Sequence, residues 1–290
     1  MEFLDIVKAI IFGIIEGITE WLPVSSTGHL IILESLFKVE ATYGHDFWNM
    51  FLVVIQLGAI IAVIVYFFNK LNPFFGKSLK DPSINKSKEE KKNIWMLWAK
   101  VLVACIPAAV VGLVLDDWLD SHLYNSITVS VTLILYGVLF IVMEIWNKKR
   151  TFKVNNTYDL KWSTAFFIGC FQLLALIPGT SRSGVTILGA MLLLCNRDVA
   201  SEFSFYLSIP VMFGASLLKL VKYFLDGNAL SGGQVGFLLI GCVVAFIVSI
   251  FVIKFLMSFI KKHDFKPFGI YRIILGIVLI ILFATGVVVA

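Results

Sequence analysis

Residues 16–29 read EGITEWLPVSSTGH, and residues 178–184 read PGTSRSG. Each segment interrupts a stretch that is otherwise apolar, at about 5–37 and 162–195 respectively. Proline, glycine and clustered hydroxyl residues break helices. We therefore predict that each stretch forms two short helical pieces joined by a loop, rather than one continuous membrane span.

The composition of the whole chain is typical of a membrane protein. Of its 290 residues, 59% are hydrophobic and 15% are charged, and the mean hydropathy is +0.92. Soluble domains carry roughly a quarter charged residues, so a soluble globule is excluded, and so is a disordered chain. The net charge of +5 forms no basic stripe on a polar domain, so no nucleic-acid partner is expected. Six further apolar runs are long enough to cross a bilayer as helices, at about 47–68, 94–115, 126–147, 200–225, 234–260 and 268–289.

The distribution of lysine and arginine selects between two topologies. Three basic loops, at 69–93, 148–161 and 259–267, should all be cytoplasmic. If both interrupted stretches crossed the membrane, the third of these loops would lie outside. If both instead dip in and return on the same side, all three loops lie inside and both termini lie outside. We therefore predict six transmembrane helices plus two re-entrant helical hairpins.

The two interrupted stretches also resemble each other at a constant offset of 156 residues. An odd number of spans in each half would invert the second half relative to the first, which brings broken helices together near the midplane. The predicted fold is thus an all-α polytopic membrane protein with an inverted internal repeat. It is a single membrane domain, 1–290, whose halves 1–147 and 160–290 are joined by a cytoplasmic linker, 148–159. The matched pairs are Gly13 and Gly169, Glu16 and Gln172, Ser25 and Ser181, and Gly28 and Gly184.

Two acidic residues lie in the first interrupted stretch. Glu16 and Glu20 are four residues apart, which places both carboxylates on one face of a helix. Their mutual repulsion requires a compensating cation, proton or arginine. Either the helix lies near the interface and both carboxylates reach water, or they bind a divalent ion such as Mg²⁺ or Ca²⁺, which prefers oxygen ligands.

Hydroxyl and basic residues in the two loops suggest a reactive site. A helix starting near Thr27 would bring the His29 imidazole close to the Ser26 hydroxyl, although Ser25 or Ser26 can equally serve only as a helix cap. Arg182 either binds an anion such as phosphate or forms a structural ion pair with Glu16 or Glu20. Outside these loops, Gln56 can form hydrogen bonds across helices, and Arg272 is expected to reach the interface from a span end.

The segments 16–29 and 178–184, together with SEFSF at 201–205, resemble the bacterial undecaprenyl-diphosphate phosphatases of the bacitracin-resistance type. The resemblance covers the whole chain. It implies hydrolysis of a polyprenyl diphosphate lipid to the monophosphate carrier and inorganic phosphate, with a divalent cation. It also implies a multi-pass protein of the bacterial cytoplasmic membrane, in contact with membrane lipid, whose active site opens to the outer face, and a contribution to bacitracin resistance.

The resemblance also implies individual roles. Glu16 and Glu20 are the expected metal-linked acids, Ser26 the nucleophile, His29 an acid or base, and Arg182 the phosphate clamp. Whether Ser26 or His29 makes the attack remains open at this stage. Ser25, Thr27, Ser181 and Ser183 are the expected phosphate-contacting hydroxyls. Independently of the resemblance, Gly179, whose backbone can approach an anion, and Gln56 are also expected to bind the substrate.

Two functions from another class compete with hydrolysis. Inverted repeats with broken helices are typical of transporters, and Arg182 can bind a phosphorylated polyprenyl lipid without cleaving it, as a flippase would. An ion-coupled carrier that uses Glu16 and Glu20 for protons is a third reading. A second copy of the chain, forming a homodimer, is a further candidate partner.

Overall fold

The computed structural model describes residues 2–123 and 125–287, and within them the chain is helical with no β-strand. Two short 3-10 turns, Thr157–Asp159 and Leu173–Leu176, accompany the α-helices. The helices are α1 (Phe3–Thr19), α2 (Ser26–Phe37), α3 (Val39–Tyr43), α4 (His45–Val54), α5 (Gln56–Tyr66), α6 (Phe68–Leu71), α7 (Lys88–Leu123), α8 (Ser126–Asn147), α9 (Trp162–Gln172), α10 (Arg182–Leu192), α11 (Arg197–Leu225), α12 (Gly232–Phe259) and α13 (Lys266–Ala284).

Six helical segments are long and apolar enough to cross a membrane, which confirms the six predicted spans. The first of them combines α4 and α5. Residues 288 and 289 of the last predicted run lie outside the described part of the chain. The six segments are His45–Tyr66, Lys88–Gly112, Ile127–Asn147, Arg197–Leu225, Gly232–Phe259 and Lys266–Ala284.

The two interrupted stretches form helix pairs that double back on themselves. Near the start of α1, the Lys8 ammonium donates a hydrogen bond to the carbonyl of Phe37, the last residue of α2, at 2.9 Å. In the second pair, Leu194 follows α10 and accepts from the backbone N–H of Lys153, which precedes α9, at 2.9 Å. Since α10 has 11 residues, it is about 16 Å long, roughly half the hydrocarbon thickness.

The three basic loops meet at one end of the bundle, around the start of α11. Glu202 forms an ion pair with Lys70 and accepts a hydrogen bond from the Thr157 hydroxyl at 2.8 Å. One turn away, Arg197 pairs with the buried Glu144, which also accepts from the backbone N–H of Phe265 at 3.0 Å. The segments that precede α7, α9 and α13 therefore share one side, as the count of six crossings requires.

Glycines allow the first helix of each pair to approach a span of the other half closely. A Cβ atom on Gly13 of α1 would lie 2.7 Å from the Gly241 carbonyl oxygen of α12. A Cβ on Gly169 of α9 would lie 2.1 Å from the Ala104 carbonyl oxygen of α7. Small residues at helix contacts are how membrane helices pack tightly without a hydrophobic driving force. These contacts bring the two loops together inside the bundle.

Candidate active site

Two serines with the same unusual backbone conformation precede the second helix of each pair. Ser25 has φ 73° and ψ 103°, and Ser181 has φ 69° and ψ 115°. Positive φ is rare for residues other than glycine, and the backbone strain that it causes is found mainly at functional sites. The following residues, Ser26 and Arg182, begin α2 and α10. The same local geometry thus presents a hydroxyl in one loop and a guanidinium in the other.

The two loops converge on the carboxylate of Glu20, which is only 8% exposed. Its Oε2 accepts a hydrogen bond from the Ser26 hydroxyl at 3.3 Å, and its Oε1 accepts one from Arg182 Nη2 at 2.9 Å. The Ser183 hydroxyl donates to the backbone carbonyl of Glu20 at 3.1 Å. The ion pair considered for Arg182 is therefore present, and its partner is Glu20.

Arg182 has further contacts that the sequence motifs do not indicate. Its Nη1 donates to the carbonyl of Ser204 on α11 at 2.9 Å, and its guanidinium lies 5.8 Å from the centroid of the Trp21 ring. Trp21 is fully buried and packs edge-on against Phe205. These neighbours fix the guanidinium plane while leaving its Nε without a partner.

Several buried polar atoms around the loops have no partner. Both carboxylate oxygens of Glu16 are unpaired, and the residue is 0% exposed. The Ser25 hydroxyl, the Trp21 indole N–H and Arg182 Nε are also unpaired. Leaving one such group unpaired costs about 1–3 kcal/mol. The unsatisfied acceptors suit a cation, and the unsatisfied donors suit an anion.

His29 is hydrogen-bonded to the Ser25 carbonyl of the first loop rather than to the Ser26 hydroxyl. Its Nδ1 lies 2.8 Å from the Ser25 carbonyl oxygen. A carbonyl only accepts, so Nδ1 carries the proton, and Nε2 accepts from the Tyr271 hydroxyl at 2.6 Å. The first turn of α2 directs the ring back to the Ser25 carbonyl. Tyr271 lies on α13, and no motif in the sequence indicates its part in this site.

Arg272 is fully buried, so the expectation that it reaches the interface is wrong. Its Nη2 donates to the carbonyls of Gly179 and Thr180, both at 3.0 Å, and its Nη1 to that of Pro23 at 3.4 Å. Breaking a helix inside a membrane releases carbonyls that need a buried donor. One side chain of α13 therefore ties the two loops together.

The remaining candidate residues have mostly structural contacts. Gly179, at φ 82°, packs so closely on α8 that a Cβ atom would lie 2.3 Å from Thr132 Oγ1. The Ser181 hydroxyl caps α10 by accepting from the Gly184 N–H at 3.2 Å. Thr27, in the first turn of α2, and Gln56, at the start of α5, are half-buried. Within the described residues, no hydrogen bond connects either of these two side chains to the loops.

Comparison with known proteins identifies the family. The family described as bacitracin resistance protein BacA matches residues 9–278. The chain belongs to this family. Among its relatives, the undecaprenyl-diphosphatase of Enterococcus faecalis is 55% identical over 280 residues, covering 97% of this chain and 98% of the relative. That of Lactiplantibacillus plantarum is 56% identical over 277 residues, covering 96% and 97%, and that of Lactococcus lactis is 53% identical over 279 residues, covering 96% and 97%.

The donor set of this BacA family member fits a cation that shares its ligands with a substrate. Among the described residues, no cluster of three or more histidine, cysteine, aspartate or glutamate side chains is suited to hold a metal ion. The unpaired Glu16 carboxylate, one turn from Glu20, supplies only part of a coordination shell. Mg²⁺ is commonly held in this way, by one or two carboxylates together with substrate phosphates and water.

Proposed function

We propose that this protein is an undecaprenyl-diphosphate phosphatase, which hydrolyses undecaprenyl diphosphate to undecaprenyl phosphate and inorganic phosphate. Family membership and the names of the relatives support this activity. It recycles the lipid carrier of cell-wall synthesis and thereby confers bacitracin resistance. The structural observation that carries the proposal is the single Glu20 carboxylate bonded to both Ser26 and Arg182. A nucleophile, a base and a phosphate clamp thus lie within one hydrogen-bonded group.

The residues divide the reaction between the two loops. Glu20 Oε2 accepts the Ser26 proton as the serine oxygen attacks the terminal phosphorus. The new O–P bond replaces the bond to the bridging oxygen, and undecaprenyl phosphate leaves. Water then attacks the phosphoserine as Glu20 returns its proton to the departing serine oxygen. The water oxygen ends on the phosphorus, its proton passes to solvent, and inorganic phosphate is released. Arg182 neutralises the charge of the transferred group, since phosphoryl transfer depends chiefly on positioning and electrostatic stabilisation.

The contacts of His29 favour Ser26 as the nucleophile. Nδ1 is protonated and bonded to the Ser25 carbonyl, and the lone pair of Nε2 accepts from Tyr271. An attacking imidazole needs a free lone pair, whereas the Ser26 hydroxyl already donates to a carboxylate. We therefore assign His29 to positioning of the first loop rather than to attack or proton transfer.

The buried unpaired groups define the substrate contacts. Glu16 and Glu20 would hold a divalent cation, which when bound neutralises and orients the diphosphate oxygens. The Ser25 hydroxyl, Trp21 N–H and Arg182 Nε are free to donate to those oxygens. The N-termini of α2 and α10 add their positive ends. Ser181, Ser183 and Gly179 shape the loop that presents Arg182.

The contact pattern supports two re-entrant hairpins and an inverted repeat. The first hairpin packs on α12 and the second on α7, each in the other half of the chain. With the basic loops in the cytoplasm, the first hairpin enters from the outer face, and we place the opening of the site there. Labelling single cysteines at Lys38 and Lys153 with a membrane-impermeant maleimide on intact cells tests this topology. Reaction at position 38 alone is expected, and reaction at 153 alone would reverse the orientation.

A phosphate-release assay with purified protein and undecaprenyl diphosphate tests the function. We expect turnover that EDTA abolishes and that added Mg²⁺ or Ca²⁺ restores. Glu20→Ala and Arg182→Ala are each expected to nearly abolish release, by about 10³-fold or more, while Arg150→Ala, a control at the far end of the bundle, remains active. A transporter or flippase would release no phosphate in any of these samples. Near-normal turnover by either site variant would refute its assigned role.

A further inference from the structure

A relay of two hydrogen bonds connects α13 to the first loop. The Tyr271 hydroxyl donates to His29 Nε2 at 2.6 Å, and His29 Nδ1–H donates to the Ser25 carbonyl at 2.8 Å. The planes of the two rings are nearly parallel, with an angle of 7° between them and centroids 5.6 Å apart. The phenol therefore both orients the imidazole and satisfies its second nitrogen.

The peptide at the end of this relay is the strained one that precedes Ser26. In the second loop, the equivalent serine stabilises its own turn, because the Ser181 hydroxyl caps the following helix. The Ser25 hydroxyl forms no such cap. In the first loop, Arg272 reaches only the Pro23 carbonyl. The turn before Ser26 is therefore held by the hydrogen bond from His29 to the Ser25 carbonyl. In the other loop, the hydroxyl of Ser181 stabilises the turn itself.

We propose that Tyr271 is a positioning residue for the phosphatase reaction. Its hydroxyl fixes His29 in the tautomer that carries the proton on Nδ1. In this tautomer the imidazole holds the Ser25 peptide and keeps the Ser26 hydroxyl directed towards Glu20. This inference rests on the proposed role of Ser26 as nucleophile.

The Tyr271 hydroxyl selects the tautomer of His29, whereas an aromatic ring without a hydroxyl cannot. Without the O–H donor, the neutral imidazole also populates the form with the proton on Nε2. In that form Nδ1 is an acceptor facing a carbonyl, and the bond to Ser25 is lost. A phenylalanine at position 271 retains the aromatic ring but removes this selection.

Tyr271→Phe separates the hydroxyl from the ring. We expect kcat to fall about 10-fold, with KM changed by less than about twofold, because orientation rather than substrate binding is lost. The matched control is Tyr206→Phe, which removes a buried tyrosine hydroxyl bonded to Glu202 at the basic end of the bundle. That control is expected to retain the wild-type kcat.

A double-mutant cycle with His29→Ala tests the route through the imidazole. Once the imidazole is absent, Tyr271→Phe should cause no further loss of kcat. In parallel, ¹⁵N spectra of histidine-labelled protein should show His29 protonated on Nδ1 in the wild type, with a new population protonated on Nε2 in Tyr271→Phe. The His29→Ala spectrum identifies the relevant signals.

Three results would overturn the proposal: wild-type kcat in Tyr271→Phe, an equal loss in the His29→Ala background, or an unchanged tautomer population. Failure of the proposed function is distinguishable from these results. In that case the wild-type protein itself would release no phosphate. If only the nucleophile role of Ser26 failed, Ser26→Ala would release phosphate at the wild-type rate, whatever residue occupies position 271.

Discussion

Ser26 and Arg182 occupy equivalent positions in the two loops, but one side chain is a neutral hydroxyl and the other is a cationic guanidinium. Each begins a helix, and each follows a serine with nearly the same backbone angles. Both are bonded to Glu20, one as a hydroxyl and one as a guanidinium. The backbone frame is thus present twice, while the reactive groups are divided between the two copies.

The difference extends to the residues around each loop. Glu16 and its counterpart Gln172 are both buried with unpaired polar atoms, but only Glu16 has an ionisable side chain. The Ser25 hydroxyl is free, whereas that of Ser181 caps α10. This difference matches the proposed division of roles, in which the first loop performs the chemistry and binds the cation, while the second holds the phosphate.

Ser26→Ala is the substitution with the largest expected effect on this comparison. Removing the nucleophile should lower kcat by at least about 10³-fold. Binding of undecaprenyl diphosphate should persist because Arg182 is intact. Native mass spectrometry in nanodiscs measures this binding. The control is Ser35→Ala on α2, whose hydroxyl bonds only within its own helix. Substantial turnover by Ser26→Ala, combined with inactivity of His29→Ala, would transfer the nucleophile role to His29.

Arg272→Lys tests whether the relative position of the two loops depends on the hydrogen bonds from Arg272. Lysine retains the charge but cannot reach the carbonyls of Gly179, Thr180 and Pro23 together. We expect kcat to fall about 10²-fold, since small displacements of reacting groups have effects of this size. Phosphate release and thermal unfolding in detergent are measured together, with Arg150→Lys as the control. An unchanged kcat would show that the loops keep their relative position without Arg272.

The sequence predicted the six spans because they depend on a local pattern, and the two loop motifs stand out in the sequence for the same reason. Apolar runs identify membrane helices, and the motifs containing Glu20, Ser26 and Arg182 are contiguous stretches of chain. Arg272 and Tyr271 could not be found in this way. Each acts on residues more than 90 positions away, and an arginine near the start of a span has the same local pattern whether it reaches water or the core.

The same limit applies to His29 and Trp21. Helical spacing brings His29 within reach of several atoms of its own loop, and only the observed rotamer distinguishes the Ser25 carbonyl from the Ser26 hydroxyl. Trp21 is one of many aromatic residues in an apolar chain, and its position beside Arg182 results from the packing of two distant hairpins.

Ser181→Ala is expected to affect stability more than catalysis. Losing this cap should lower the free energy of unfolding by about 1 kcal/mol and leave kcat within about threefold of wild type, a change of under 1 kcal/mol in the barrier. Ser25→Ala should behave in the opposite way, raising KM with little change in thermal stability, because its hydroxyl is unpaired in the free protein. Steady-state kinetics and thermal unfolding of both variants are compared. If the two serine variants behaved identically, the proposed division of roles between the two loops would be wrong.

The last expected effects concern stability alone, at glycines of the proposed repeat, and they test where its symmetry ends. Gly13→Ala and Gly169→Ala should each destabilise the protein by about 1–3 kcal/mol, since a Cβ atom at either position would overlap a backbone oxygen of the facing helix. Gly58 packs against the backbone of Cys242, but a Cβ atom on Gly214 of α11, which lies at the same offset of 156 residues, meets open space. Gly214→Ala should therefore be neutral or stabilising by up to about 1 kcal/mol, the helix propensity of alanine over glycine. Thermal unfolding of the three variants measures these changes in stability. If Gly214→Ala lost as much stability as Gly13→Ala, the proposed repeat would constrain the packing of the spans as well. If only Gly214→Ala is neutral, the close packing of the proposed repeat is required at α1 and α9 but not along α11, and α1 and α9 are the helices that lead into the loops containing Ser26 and Arg182.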